Sequence, residues 1–119
     1  MIERYSRKEI KLIWQDYNKY SIWLKIELAA AEAMEKLKII PKGTVKKVKS
    51  KSKINVKRIT EIENKVKHDV IAFLTSITEK AGKEARFLHK GMTSSDVLDT
   101  CFNLQLKQSG EILLKDIEK

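Results

Sequence analysis

The sequence predicts an all-α protein, and three observations carry that prediction. Apolar residues recur at helical rather than alternating spacing through most of the 119 residues. One proline and four glycines leave few of the turns that a strand-rich fold needs. Serine, threonine, asparagine and glycine stand where the periodic stretches begin and end. With 42% apolar and 34% charged residues, the chain has the composition of a globular domain able to bury a core.

The elements follow in order. Ser6-Arg7-Lys8-Glu9 has the pattern of a capping box, and Ile10, Ile13, Trp14 and Tyr17 behind it predict a short amphipathic helix. A second helix is expected from about Tyr20 to Lys38. Its apolar surface is wide, interrupted only by a polar strip of Lys25, Glu27, Glu32, Glu35 and Lys36. Ile40-Pro41-Lys42-Gly43 closes it, because proline cannot continue a helix. Val45 and Val48 suggest one short helix inside the following lysine-rich connector. Asn55 is placed to cap a helix through Val56, Ile59, Ile62 and Val66, and Val70, Phe73, Leu74 and Ile77 predict the next, stopped by Gly82. The last helix begins near Ser94 and runs for roughly 25 residues without a visible stop, long for a globular domain. Residues 1–93 are therefore expected to form a helical domain. Residues 94–119 are expected to be the first part of a larger helix bundle, cut inside an element.

Composition excludes several function classes. No apolar run reaches the roughly 20 residues that span a bilayer. The N-terminus lacks the apolar stretch of a secretory signal. The single cysteine, Cys101, sits at a helical apolar position and reads as a small core residue in a reducing compartment. These features give a cytoplasmic expectation. The net charge of +9 is local: ten basic residues and no acid lie between Lys36 and Arg58. That segment has no aromatic residue to stack on a base, so it supports generic phosphate attraction at most. A solvated connector explains it more simply.

Chemistry concentrates in Leu88-His89-Lys90-Gly91-Met92-Thr93-Ser94-Ser95-Asp96. Three hydroxyl residues precede a helix whose first N–H groups have no partner, an arrangement that caps a helix and also holds an anion. Gly91 would let the backbone approach a ligand closely. The second candidate is Lys67-His68-Asp69, between two helices, and the third is Arg4-Tyr5. A histidine near neutral pH can donate, accept or carry charge, which suits binding or proton transfer. The two histidines and one cysteine match no compact zinc spacing, so no metal site is expected. No phosphate-cradling glycine loop or nucleophile elbow is present.

Four separated motifs together resemble a known family. Met-Ile-Glu-Arg-Tyr-Ser-Arg-Lys-Glu-Ile, the Ile-Pro after the alanine-rich helix, Lys-His-Asp-Val-Ile-Ala-Phe, and His-Lys-Gly-Met-Thr-Ser-Ser-Asp-Val-Leu-Asp-Thr look like the beginning of adenylosuccinate lyase, in the fumarase/aspartase superfamily. The resemblance implies a helical lyase that assembles as a homotetramer and draws each active site from three subunits. It implies β-elimination of fumarate from adenylosuccinate, giving AMP, and from the succinylated carboxamide ribotide SAICAR, giving AICAR, with no cofactor. By motif, Arg4 and Tyr5 would contact the nucleotide, and Lys67, His68 and Asp69 would line the same pocket. His68 would support catalysis, Thr93 and Ser94 would hold a succinyl carboxylate, and His89 would support their loop. Lys67 stands where many members carry arginine, so a bidentate contact is lost. The family's general-acid histidine and mobile serine loop are not found in these residues, so the chain is expected to be inactive alone. The alternatives from other classes are a basic helical nucleic-acid-binding module and a self-associating interaction domain.

Overall fold

A computed structural model describes residues 2–118. Among them are six α-helices: α1 (Lys8–Ile13), α2 (Asp16–Lys36), α3 (Thr44–Lys51), α4 (Val56–Val66), α5 (Asp69–Ala81) and α6 (Ser94–Ile117). Short 3-10 segments cover Glu3–Tyr5 and Gly82–Phe87, and no strand is present among the described residues. The all-α expectation holds.

Aromatic rings on α2 and α5 set the centre of the core. Trp23 meets Phe73 edge-on at 5.4 Å and Tyr20 edge-on at 5.2 Å, while Tyr20 stacks on Phe73 at 5.9 Å. All three are buried. Such pairs add roughly 0.5–1.5 kcal/mol each beyond the burial of their surface. Ile59 and Ile62 of α4, Val48 of α3 and Ile77 of α5 close around them. The α4–α5 hairpin is tied on its outer side by Arg58, which forks onto both oxygens of Glu79 at 2.6 and 3.0 Å and also reaches Glu61. These groups are half exposed, so the fork sets orientation more than stability.

The long α6 packs on α2 and α1 through Val97, Cys101 and Gln105, all buried. Cys101 is the core residue that the sequence suggested, and burial pushes its thiol up, away from the reactive thiolate. Gln105 donates its amide N–H to the Ile13 carbonyl at 2.9 Å, and Asn18 donates to the same oxygen at 2.8 Å. That carbonyl is an orphan at the end of α1, and the two side chains satisfy it.

Two expectations about the first helices fail. Ser6 does not cap α1; its hydroxyl donates back to the Ile2 carbonyl at 2.8 Å, and the N-cap position falls to Arg7. The predicted first helix also breaks at Trp14–Gln15, so Tyr17 belongs to α2. No proline or glycine marks that break. It is held from a distance: Trp14 donates its indole N–H to Ser109 of α6 at 3.1 Å and meets Phe102 at 5.9 Å.

The connector is more structured than a solvated run. The Glu35 carboxylate accepts the backbone N–H groups of Gly43 (2.7 Å) and Val45 (3.0 Å), docking the start of α3 against α2. Those two donors hold the Glu35 carboxyl below the usual carboxylate range. Lys47 pairs with Glu84 at 3.3 Å. At the end of α2 the Ile39 N–H reaches the Met34 carbonyl at 2.9 Å, with Lys38 left-handed at φ 60°, a turn usually given to glycine.

Candidate functional site

The first station is the loop between the 3-10 segment and α6. Leu88 is buried and anchors it, and the chain then turns through two left-handed residues, His89 at φ 59° and Gly91 at φ 71°. A Cβ on Gly91 would meet nothing within 4 Å. The glycine is therefore required by its backbone angle, not by close approach of a neighbour. Thr93 is the N-cap residue of α6, and its N–H is taken by the Asp96 carboxylate at 2.8 Å. Asp96 N–H turns back to the Thr93 carbonyl at 3.1 Å. The Ser94 and Ser95 N–H groups have no acceptor among the described residues, and exposed Thr93 and half-buried Ser94 bring hydroxyls beside them. This 24-residue helix thus presents paired N–H donors and hydroxyls at its positive end, a match for a carboxylate.

His89 itself is held from the far side by a residue that the sequence reading missed. Glu27 of α2 is fully buried. One of its oxygens accepts the His89 backbone N–H at 2.7 Å and the other lies 2.6 Å from His89 Nδ1. The polar strip assigned to α2 is thus wrong at this position. A signal was available: Trp23 and Ala31, four residues to either side of Glu27, are both buried core positions. A carboxylate alone on a core stripe needs a polar partner.

The second station lies at the α4–α5 junction. Lys67 ends α4 in the left-handed conformation at φ 55°. His68 is the N-cap of α5, its Nδ1 accepting the Ile71 N–H at 3.4 Å. Asp69 takes the Val70 N–H at 2.7 Å and stands 3.6 Å from His68 Nδ1. As an acceptor, that ring nitrogen carries no proton, which leaves the proton on Nε2. The third station is Arg4-Tyr5, with the guanidinium 4.8 Å over the exposed tyrosine ring.

No hydrogen bond, ion pair or ring contact among the described residues joins these three stations. Within one chain they remain separate polar patches. Among the described residues no cluster of histidine, cysteine, aspartate and glutamate is arranged to hold a metal ion. No helix there is long and apolar enough to cross a membrane. The basic connector borders a groove of about 1070 Å³ floored by Ile39, Ile40, Pro41 and Val45. Lys36, at its edge, is already paired with Glu32 at 3.0 Å.

Among the known proteins that match are a sequence relative and a structural neighbour. A scan against models of known protein families matches none. An adenylosuccinate lyase from Staphylococcus saprophyticus is 46% identical over all 119 residues, which make up 28% of its own length. The chain thus spans a little over a quarter of this curated relative. A crystal structure of a fumarate lyase from a Mesorhizobium species superposes with a TM-score of 0.85 at 21% identity, covering 95% of this chain and 27% of that one. The likeness first seen in four motifs extends over the whole chain: in sequence it is similar to adenylosuccinate lyase, and its fold is one that a fumarate lyase shares.

Proposed function

We propose that this chain is the substrate-binding, N-terminal part of a C–N lyase of the adenylosuccinate lyase type. The enzyme would release fumarate from adenylosuccinate, giving AMP, and from SAICAR, giving AICAR, without a cofactor. The observation that supports this reading most is the 46% identity to a protein of that name over every residue of the chain. The site geometry agrees with it. Elimination of fumarate places negative charge on a succinyl carboxylate as a proton leaves the neighbouring carbon, and donors aimed at that charge lower the barrier. The start of α6, with Thr93 and Ser94, supplies such donors. Lys67, His68 and Asp69, with Arg4 and Tyr5, bind the rest of the nucleotide, and His68 offers a proton from Nε2 in a supporting role. Three stations unjoined within one chain suit a pocket completed by other subunits. On this reading residues 1–93 form the N-terminal domain, and α6 starts the bundle of a cytoplasmic homotetramer.

The reading is tested with the purified chain and adenylosuccinate. Amide resonances of Thr93, Ser94 and His68 shift on titration, while ultraviolet absorbance shows no fumarate, because the proton chemistry needs residues outside these 119. Turnover by the chain alone would overturn the claim of inactivity. Absence of any shift, with salt-steep binding of a random DNA duplex instead, would overturn the lyase reading in favour of the basic-module alternative.

A further inference from the structure

We propose that Glu27 is a positioning residue: it holds the His89 imidazole with Nδ1 protonated and leaves Nε2 as a bare acceptor offered to a substrate hydroxyl or N–H. The inference rests on the proposed lyase function for its ligand, but its geometry stands independently. An ionised carboxylate only accepts hydrogen bonds, so the proton in the 2.6 Å contact belongs to Nδ1. The other Glu27 oxygen is already filled by the His89 backbone N–H at 2.7 Å. One side chain therefore fixes both the backbone and the ring of a single residue 62 positions away. That residue sits in a left-handed conformation that a non-glycine keeps only when its surroundings impose it. The His89 side chain is 19% exposed while that of Glu27 is at 0%. Nε2 has no partner among the described residues.

Burying a carboxylate here is not an economical way to build a loop. Burial strips the ion of its water, and a neutral side chain with one carbonyl oxygen satisfies the backbone N–H equally well. What only a carboxylate supplies is a second acceptor that dictates where the imidazole carries its proton. His89 lies four residues before Thr93, on the loop that leads into α6.

Glu27→Gln tests this without emptying the site. The amide oxygen keeps the backbone N–H, but the amide nitrogen is a donor and can meet Nδ1 only if that atom gives up its proton. The two ring nitrogens are read by two-bond nitrogen–proton correlation spectroscopy of the 119-residue chain. The expected result is protonated Nδ1 in the wild type, bare Nδ1 with protonated Nε2 in Glu27→Gln, and retained helical circular dichroism in both. Adenylosuccinate then shifts Nε2 of the wild type, and its affinity falls about tenfold in the variant, the equivalent of one good hydrogen bond. Glu27→Asp, which keeps the acceptor but shortens the reach, restores the wild-type tautomer in part. A bare Nδ1 in the wild type overturns the proposal, as does an inverted tautomer with unchanged affinity. Shifts at Thr93 and Ser94 without one at Nε2 overturn it while leaving the lyase reading intact. No shift at any site residue overturns the lyase reading, and the tautomer alone then decides the Glu27 lock.

Discussion

His68 and His89 both stand just ahead of a helix, yet they are held in opposite ways. His68 is held locally: its Nδ1 accepts an N–H three residues on, in the manner of any cap, and its side chain is half exposed. His89 is held from another helix by a fully buried carboxylate. Because Nδ1 is an acceptor in one and faces an acceptor in the other, the two rings turn opposite chemistry outward. His68 presents Nε2–H as a donor, whereas His89, with the proposed proton on Nδ1, presents an Nε2 lone pair. One residue type, ahead of two different helices, yields complementary proton roles through the partner of a single atom.

The largest break in this comparison is His89→Ala. It leaves the Glu27 carboxylate buried with only a backbone N–H, and stranding a buried charged acceptor in this way costs roughly 3 kcal/mol, read as a fall in the urea midpoint. His68→Ala removes only a side-chain cap, so the same measurement shows a loss of about 1 kcal/mol or less. Equal losses for the two variants would contradict the long-range hold on His89.

The smallest effect concerns a carboxylate that works like Glu27 but at the surface. Glu35 accepts two N–H groups of the α3 start, which lowers its folded value below 4.5. A depressed carboxylate contributes stability that is fully present above its unfolded value and is lost as the pH falls through the folded one. Urea midpoints of the wild type therefore drop more between pH 6 and pH values below 4.5 than those of Glu35→Gln. Parallel profiles would show that the contact does not form.

Most helices were legible because their apolar period and caps are local properties: Asn55 caps α4 by accepting from Arg58, and Gly82 ends α5, as their types suggest. The break at Trp14–Gln15 was not legible, since its determinants, Ser109 and Gln105, lie more than ninety residues away. Ser6 misled because a serine hydroxyl is as content with a preceding carbonyl as with a helix N–H. The connector looked uniform because lysine spacing says nothing about acids on other elements; Glu35 and Glu84 decide where it docks. For the candidate site, the motif residues were visible in sequence and their support was not. Glu27 lay in plain view among the α2 carboxylates. Only its place between Trp23 and Ala31 on the buried stripe set it apart.

The two tryptophans give the chain a pair of built-in optical probes. Trp23, 2% exposed and enclosed by Tyr20 and Phe73, emits from an apolar surrounding and reports the integrity of the α2–α5 centre. Trp14, 37% exposed and bonded to Ser109, reports whether α1 remains seated on α6. Loss of the second signal before the first would mark α6 detaching while the core stays folded. Fraying and global melting can thus be told apart in the unlabelled protein.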